Sequence, residues 1–114
     1  MMNRVGLRLA GLLLISGCIV SMPSHAETVV VEMKGFEFVP PEITVKVGDT
    51  VRWLNTEKRQ YHSVWFKEQG EEESQIMFPD EFLEKTFTEP GTYPYVCGPH
   101  GESHDMVGVV HVAE

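Results

Sequence analysis

The sequence predicts an all-β fold, a sandwich or a barrel, on three observations. From Thr28 onward apolar residues recur at every second position in short runs. Gly, Pro and Asp separate those runs, and no stretch carries an apolar period near 3.6 residues. Alternating runs bounded by turn residues are the pattern of strands with one buried face. A chain made of them alone closes as a sandwich or barrel.

The elements follow in order along the chain. Val29, Val31 and Met33 share one face of the first run, with Val30, Glu32 and Lys34 on the other. Pro40 and Pro41 then interrupt the pattern, as proline does at a sheet edge or where the chain changes sheet. Ile43, Val45 and Val47 alternate with Thr44 and Lys46 and stop at the turn pair Gly48-Asp49. Val51, Trp53 and Asn55 line the next run, with Arg52 opposite. Residues 62–66, 82–87, 92–97 and 107–112 supply the remaining strands. Trp53, Trp65, Phe82 and Phe87 are core or rim aromatics, and Trp65, three residues past His62 in one predicted strand, faces away from it. Residues 67–80 form the one long irregular segment, crowded with Glu68, Glu71, Glu72 and Glu73. It reads as a solvated loop, with docking of a basic partner as the alternative.

The N-terminus reads as an export leader. Arg4 and Arg8 precede an apolar stretch over residues 9–20, and Ser24-His25-Ala26 supplies a small-x-small cleavage site. Residues 1–26 are thus expected to be a signal peptide and 27–114 the folded domain, released into the periplasm. A stretch of about 12 apolar positions falls short of the roughly 20 that a membrane span needs. The alternative is a lipobox at Ile15-Ser16-Gly17-Cys18, with lipidated Cys18 anchoring the domain in the same compartment. Against it, Ile19 and Val20 carry the apolar run past Cys18. Cleavage at Ala26 leaves 114 − 26 = 88 residues, enough for one small domain. It removes two of the nine basic residues and no acid, so the net charge falls from −8 to −10. That charge excludes a nucleic-acid surface, which depends on cationic neutralisation of phosphates, and favours a redox protein partner with a basic docking face.

With Cys18 removed, Cys97 is the only thiol in a domain sent to an oxidising compartment, where an unpaired thiol calls for an occupant. His100 follows three residues later, Met106 lies just beyond, and His62 stands 35 residues upstream in a similar strand context. A thiolate, two imidazoles and a weak axial thioether are the ligand set of a blue-copper electron-transfer site. One copper ion per domain is expected, with His62, Cys97, His100 and Met106 as candidate ligands. The alternation of residues 92–97 directs the Cys97 sulfur inward, and the turn Gly98-Pro99 brings the His100 ring back towards it. Pro99 has no N–H, which withholds one donor from the sulfur, and hydrogen bonding at a ligand tunes the redox potential. Zinc also binds thiolate and imidazole; a colourless holo-protein would distinguish it.

The run Gly91-x-Tyr93-x-Tyr95-x-Cys97-x-Pro99-His100 with a following Met resembles the cupredoxin family of plastocyanins, pseudoazurins, amicyanins and bacterial relatives. Val47-Gly48-Asp49-Thr50-Val51-x-Trp53-x-Asn55, and then His62-Ser63-Val64, are similar to that family's first-ligand region. The resemblance implies a Greek-key β-sandwich of seven or eight strands with the metal at one end. It implies His62 as the buried first ligand, Cys97 as the thiolate and His100 as the more exposed imidazole through which electrons pass. Asn55 and Ser63 then belong to the loop framework around the site. One spacing departs from the pattern: five residues separate His100 from Met106, where family loops commonly carry two to four. The extra length holds Glu102, His104 and Asp105. Met106 is the expected axial ligand. Glu102, as in carboxylate-bearing red-copper relatives, and His104, as a ligand or second-site member, stay open. His111 reads as a partly exposed strand histidine, and Met33 and Met77 as packing residues.

The expected function is one-electron transfer with copper cycling between Cu(I) and Cu(II), by a monomer with no small-molecule substrate. The alternative is periplasmic copper handling or copper tolerance on the same fold, suggested by the ligand-rich 102–105 loop. An enzyme is not expected. A second copper centre needs more histidines than His62, His100, His104 and His111, and the Gly-Pro turn between Cys97 and His100 suits a ligand turn better than a nucleophile and its base.

Overall fold

A computed structural model describes residues 25–114. The predicted leader up to residue 24, with Arg4, Arg8 and the alternative lipidation site Cys18, lies outside the described residues. Seven strands among the described residues form two sheets. They are β1 (Thr28–Lys34), β2 (Glu37–Val39), β3 (Glu42–Lys46), β4 (Thr50–Asn55), β5 (Phe82–Thr86), β6 (Gly91–Val96) and β7 (Val107–Ala113). One sheet has the order β2-β1-β4-β5 and the other β3-β7-β6, the two layers of the predicted sandwich.

Registers follow the alternation in the sequence. β1 runs parallel to β4, with Val31 opposite Trp53 and Met33 opposite Asn55. All four are fully buried, as the period of two requires once one face is covered. β4 pairs antiparallel with β5, β3 parallel with β7, and β6 antiparallel with β7. Pro40-Pro41 lies where the chain leaves β2 of one sheet and enters β3, an edge strand of the other. Neither proline could have supplied a ladder N–H there, so the switch costs no hydrogen bond.

The core is aromatic. Tyr95 packs edge-on against Phe38 (4.7 Å between centroids) and Trp53 (5.4 Å), and Trp53 meets Phe66 at 5.9 Å. Each such ring contributes about 1.5–3 kcal/mol by leaving water. Tyr95 also fixes its cross-strand neighbour. It sits opposite Gly108, where a Cβ would lie 2.5 Å from its ring. Three aromatic neighbours hold that ring, so β7 carries glycine at this position.

Two expectations are corrected. Residues 62–66 are not a strand: His62 pairs with Met77 and Trp65 with Val96 as isolated bridges. The segment crosses from a loop partner to β6 of the second sheet, so no continuous ladder forms. The strand argument that set Trp65 against His62 therefore has no basis, and Trp65 instead donates its indole N–H to the Glu71 carbonyl at 2.9 Å. The strand missing from the sequence reading is β2, joined to β1 by a two-residue turn in which Gly35 and Phe36 both have positive φ, 62° and 57°. That hand matches the twist of the hairpin. Two short helical pieces, a 3₁₀ turn at Lys67–Gln69 and α1 at Gly101–His104, lie in segments read as irregular.

Candidate metal centre

His62 lies on the connection between β4 and β5, and Cys97 and His100 on the connection between β6 and β7. Asn55, fully buried at the end of β4, organises the first connection. Its Nδ2 donates to the carbonyls of Gln60 and Met77, both at 2.9 Å, and its Oδ1 accepts the Glu57 N–H at 2.9 Å. Reciprocal backbone bonds between His62 and Met77 then fix the His62 backbone (2.8 and 3.1 Å). On the second connection, Cys97 follows directly on β6. The His100 N–H reaches back to the Cys97 carbonyl at 3.3 Å, closing the predicted Gly98-Pro99 turn. Met106 returns to the same place: the Cys97 N–H donates to its carbonyl at 3.0 Å, and its own N–H to the His100 carbonyl at 3.3 Å.

These loops bring three donor atoms together. The Nδ1 atoms of His62 and His100 lie 3.8 and 3.5 Å from the Cys97 sulfur, and the ligand atoms of all three residues fall within 4.8 Å of one another. Those separations fit a shared ion. Bonds of about 2.3 Å to sulfur and about 2.05 Å to nitrogen, at angles between tetrahedral and trigonal, put sulfur and nitrogen roughly 3.6–3.8 Å apart. Cys97 and His62 are fully buried, and His100 keeps 9% of its surface. Among the described residues this is the only such cluster of His, Cys, Asp and Glu donors.

The electrostatics also suit a metal. Burial, and then the neighbouring His100, push the His62 pKa down, with Glu57 opposing. Burial, and then His104, do the same at His100. Both imidazoles are thereby held neutral, the form that ligates. Burial pushes the Cys97 thiol up, partly offset by the Ser63 and His100 backbone, while the Glu73 charge adds to the rise. Metal binding then displaces the thiol proton. The Nε2 of His62 is buried without a hydrogen-bond partner; Glu57 Oε1, at 3.8 Å, is a charge neighbour and too distant to accept.

The three axial candidates separate by burial. Met106 is fully buried beside Cys97 and His100, whereas Glu102 and His104 are exposed on α1. His104 stacks on Phe36 (centroids 3.8 Å, 6° between planes) and accepts or donates a hydrogen bond with Ser103 Oγ at 2.9 Å. Phe36 presents itself edge-on to His100 at 4.9 Å. It does so from the left-handed backbone region, which costs a non-glycine residue about 1–2 kcal/mol. Tyr61 approaches His100 from another side at 5.9 Å. Met33 and Met77 are buried core residues, and His111 is a partly exposed strand residue whose Nε2 lies 2.5 Å from Glu42. The sequence reading did not single out Phe36, and it named Glu73 only as one acid of the 67–80 segment. Phe36 left one signal, a bulky residue directly after Gly35 at a turn.

A two-sheet β-sandwich with a buried thiolate–imidazole cluster at one end is the architecture of a small copper protein. Residues 25–113 match the family described as copper binding proteins, plastocyanin/azurin family, and the chain belongs to that family. It is 39% identical to an amicyanin from Paracoccus versutus over 79 residues, 66% of this chain and 59% of the relative. It is 31% identical to a plastocyanin from Synechococcus sp. over 107 residues, 81% of this chain and 78% of the relative. The chain thus spans less than two thirds of the length of the amicyanin it matches. A solved structure of an oxidised methionine-to-leucine mutant of amicyanin superposes with a TM-score of 0.67 at 37% identity, covering 75% of this chain and 81% of that one. A reduced Cu(I) form of a proline-to-glycine mutant of amicyanin gives 0.67 at 38%, covering 81% and 86%. The cofactor is copper, and members of this family are electron carriers rather than enzymes.

Proposed function

We propose that the domain of residues 27–114 is a periplasmic one-electron carrier with a type 1 copper site, exported by the 1–26 leader. The carrying observation is the convergence of one donor atom each from His62, Cys97 and His100 within 4.8 Å on two hydrogen-bonded loops. Met106 completes the set, favoured over Glu102 and His104 by its burial and its backbone bonds to both neighbouring ligands. Copper supplies a couple that exchanges one electron between Cu(I) and Cu(II). The residues do the rest. Asn55 and the Cys97–Met106 backbone bonds fix the donors, so little has to move when the charge changes. Buried Met77, paired through its backbone with His62, helps keep water from the cluster.

His100 is the favoured exit for the electron, because it keeps some surface exposure where His62 and Cys97 have none. Exposed Tyr61 and Phe78 pack against each other beside it (6.2 Å). They offer an apolar contact for a redox protein, while the acids of residues 68–73 supply the charge that attracts a basic face. The domain acts as a monomer in this reading. Copper handling or tolerance is the second reading, and the exposed Glu102, His104 and Asp105 favour it. Copper sensitivity on gene deletion, with respiration intact, would decide for it.

Optical and electron-spin spectra of the copper-loaded domain test the primary reading. Cys97→Ser is expected to abolish the intense thiolate-to-copper absorption. Met106→Leu is expected to keep the colour and shift the potential. Intense colour persisting in the cysteine variant overturns the proposal.

A further inference from the structure

One polar chain beside Cys97 links the two ligand loops to a carboxylate that is not itself a candidate ligand. Ser63, next to His62, is fully buried, and its hydroxyl accepts the Gly98 N–H at 2.9 Å. The same hydroxyl donates to Glu73 Oε2 at 2.7 Å. Glu73 reaches in from the irregular 67–80 segment, and its carboxylate comes to rest over Gly98. A Cβ on Gly98 would stand 2.0 Å from Oε2 and 2.4 Å from the carboxylate carbon. The backbone of Gly98 does not call for glycine, since its φ lies outside the left-handed range. The space a Cβ would take is occupied instead by the carboxylate, the far end of a flexible side chain. Sequence and structure therefore agree on a vacancy beside Cys97 that one acidic side chain fills.

We propose that Glu73 is a positioning residue that lowers the reduction potential of the site: anchored on Ser63 and seated over Gly98, its carboxylate holds a negative charge against the thiolate loop. The inference rests on the copper electron-transfer reading above. An anion held against the thiolate loop favours the oxidised site, which carries one more positive charge than the reduced one. The Glu73 side chain is exposed along part of its length, so solvent screens the effect and keeps it modest. Ser63 links the charge to geometry, because one oxygen joins the loop of His62, the loop of Cys97 and Glu73.

Glu73→Gln isolates the charge, since the amide oxygen still accepts from Ser63 in the same volume. Spectroelectrochemistry of the copper-loaded domain should show an unchanged visible spectrum and a raised potential. At fixed solution potential the oxidised-to-reduced ratio should fall by roughly two- to fivefold, as for one screened unit charge near the protein surface. Gly98→Ala should raise the potential as well, because its methyl group evicts the carboxylate. In the metal-free domain, hydrogen exchange at the Gly98 amide should quicken several-fold in Glu73→Ala and stay slow in Glu73→Gln. An unchanged potential in Glu73→Gln overturns the proposal, as does a shift accompanied by an altered spectrum, which would make the carboxylate a scaffold for the ligands. Unchanged exchange in Glu73→Ala overturns the anchor. A wild-type domain without thiolate-to-copper absorption instead sinks the functional reading, and the exchange measurement then still decides the anchor.

Discussion

Asn55 shows how much of the site depends on a residue that touches no ligand atom. It is fully buried, and its amide spends both donor and acceptor capacity on the loop that presents His62. Asn55→Ala removes three hydrogen bonds, leaving the Glu57 N–H and the Gln60 carbonyl without these partners while the Met77 carbonyl keeps the His62 N–H. A loss of about 2–4 kcal/mol is expected for the metal-free domain, read from urea unfolding. Asn55→Asp is the sharper variant. It keeps the shape but turns an acceptor towards the Gln60 and Met77 carbonyls, so it should be at least as damaging at neutral pH. Wild-type stability in Asn55→Asp would show that the loop is held by something else. The alternation of β4 predicts burial of Asn55 from sequence, and the resemblance to the cupredoxins places it in the loop framework. Its partners were not legible, because Gln60 and Met77 are contacted through carbonyls, which carry no side-chain signature.

At the scale of elements, Asp49 ties the start of β1 to the turn between β3 and β4. Its two oxygens accept the N–H of Glu27 at 2.9 Å and of Lys46 at 2.8 Å. Those backbone bonds, Glu27 first, hold its carboxyl below the ordinary range; burial opposes them and the Lys46 charge adds to them. The folded pKa is thus lower than the unfolded value near 3.9. The stabilisation is fully present above that unfolded value and disappears as pH falls through the depressed folded one. Asp49→Asn should lower the urea midpoint at pH 7, and the gap from wild type should close as the pH falls below the unfolded value near 3.9. A gap that is constant with pH would mean that the charge contributes nothing. Gly48-Asp49 was legible as a turn, and β1, β3, β4, β6 and β7 by their period of two. Residues 62–66 were misread because apolar neighbours bury Val64 and Phe66 on a segment whose backbone partners change midway. β2 and α1 escaped because three and four residues are too few to show any period. The Ser63–Glu73–Gly98 chain spans two loops and depends on a missing Cβ, which no pattern along the sequence expresses.

For the whole molecule, the cluster is where the two sheets are joined by chemistry as well as by packing. His62 hangs from the connection after β4 of one sheet, and Cys97, His100 and Met106 belong to the β6–β7 connection of the other. An ion held by both connections resists their separation, and an unfolded chain has no equivalent site to offer. Copper binding should therefore raise the stability of the entire domain by mass action, by about 4 kcal/mol at a thousandfold excess over the dissociation constant. For a domain of this size that corresponds to roughly 15–30 °C in the melting temperature. Scanning calorimetry of metal-free and copper-loaded protein measures it, with Cys97→Ser expected to forfeit most of the gain, since the buried sulfur lies against both imidazoles. Coincident transitions with and without copper would mean that the folded domain binds the ion no more tightly than the unfolded chain does. A gain retained in full by Cys97→Ser would point instead to histidines and carboxylates outside the cluster, such as the exposed Glu102, His104 and Asp105.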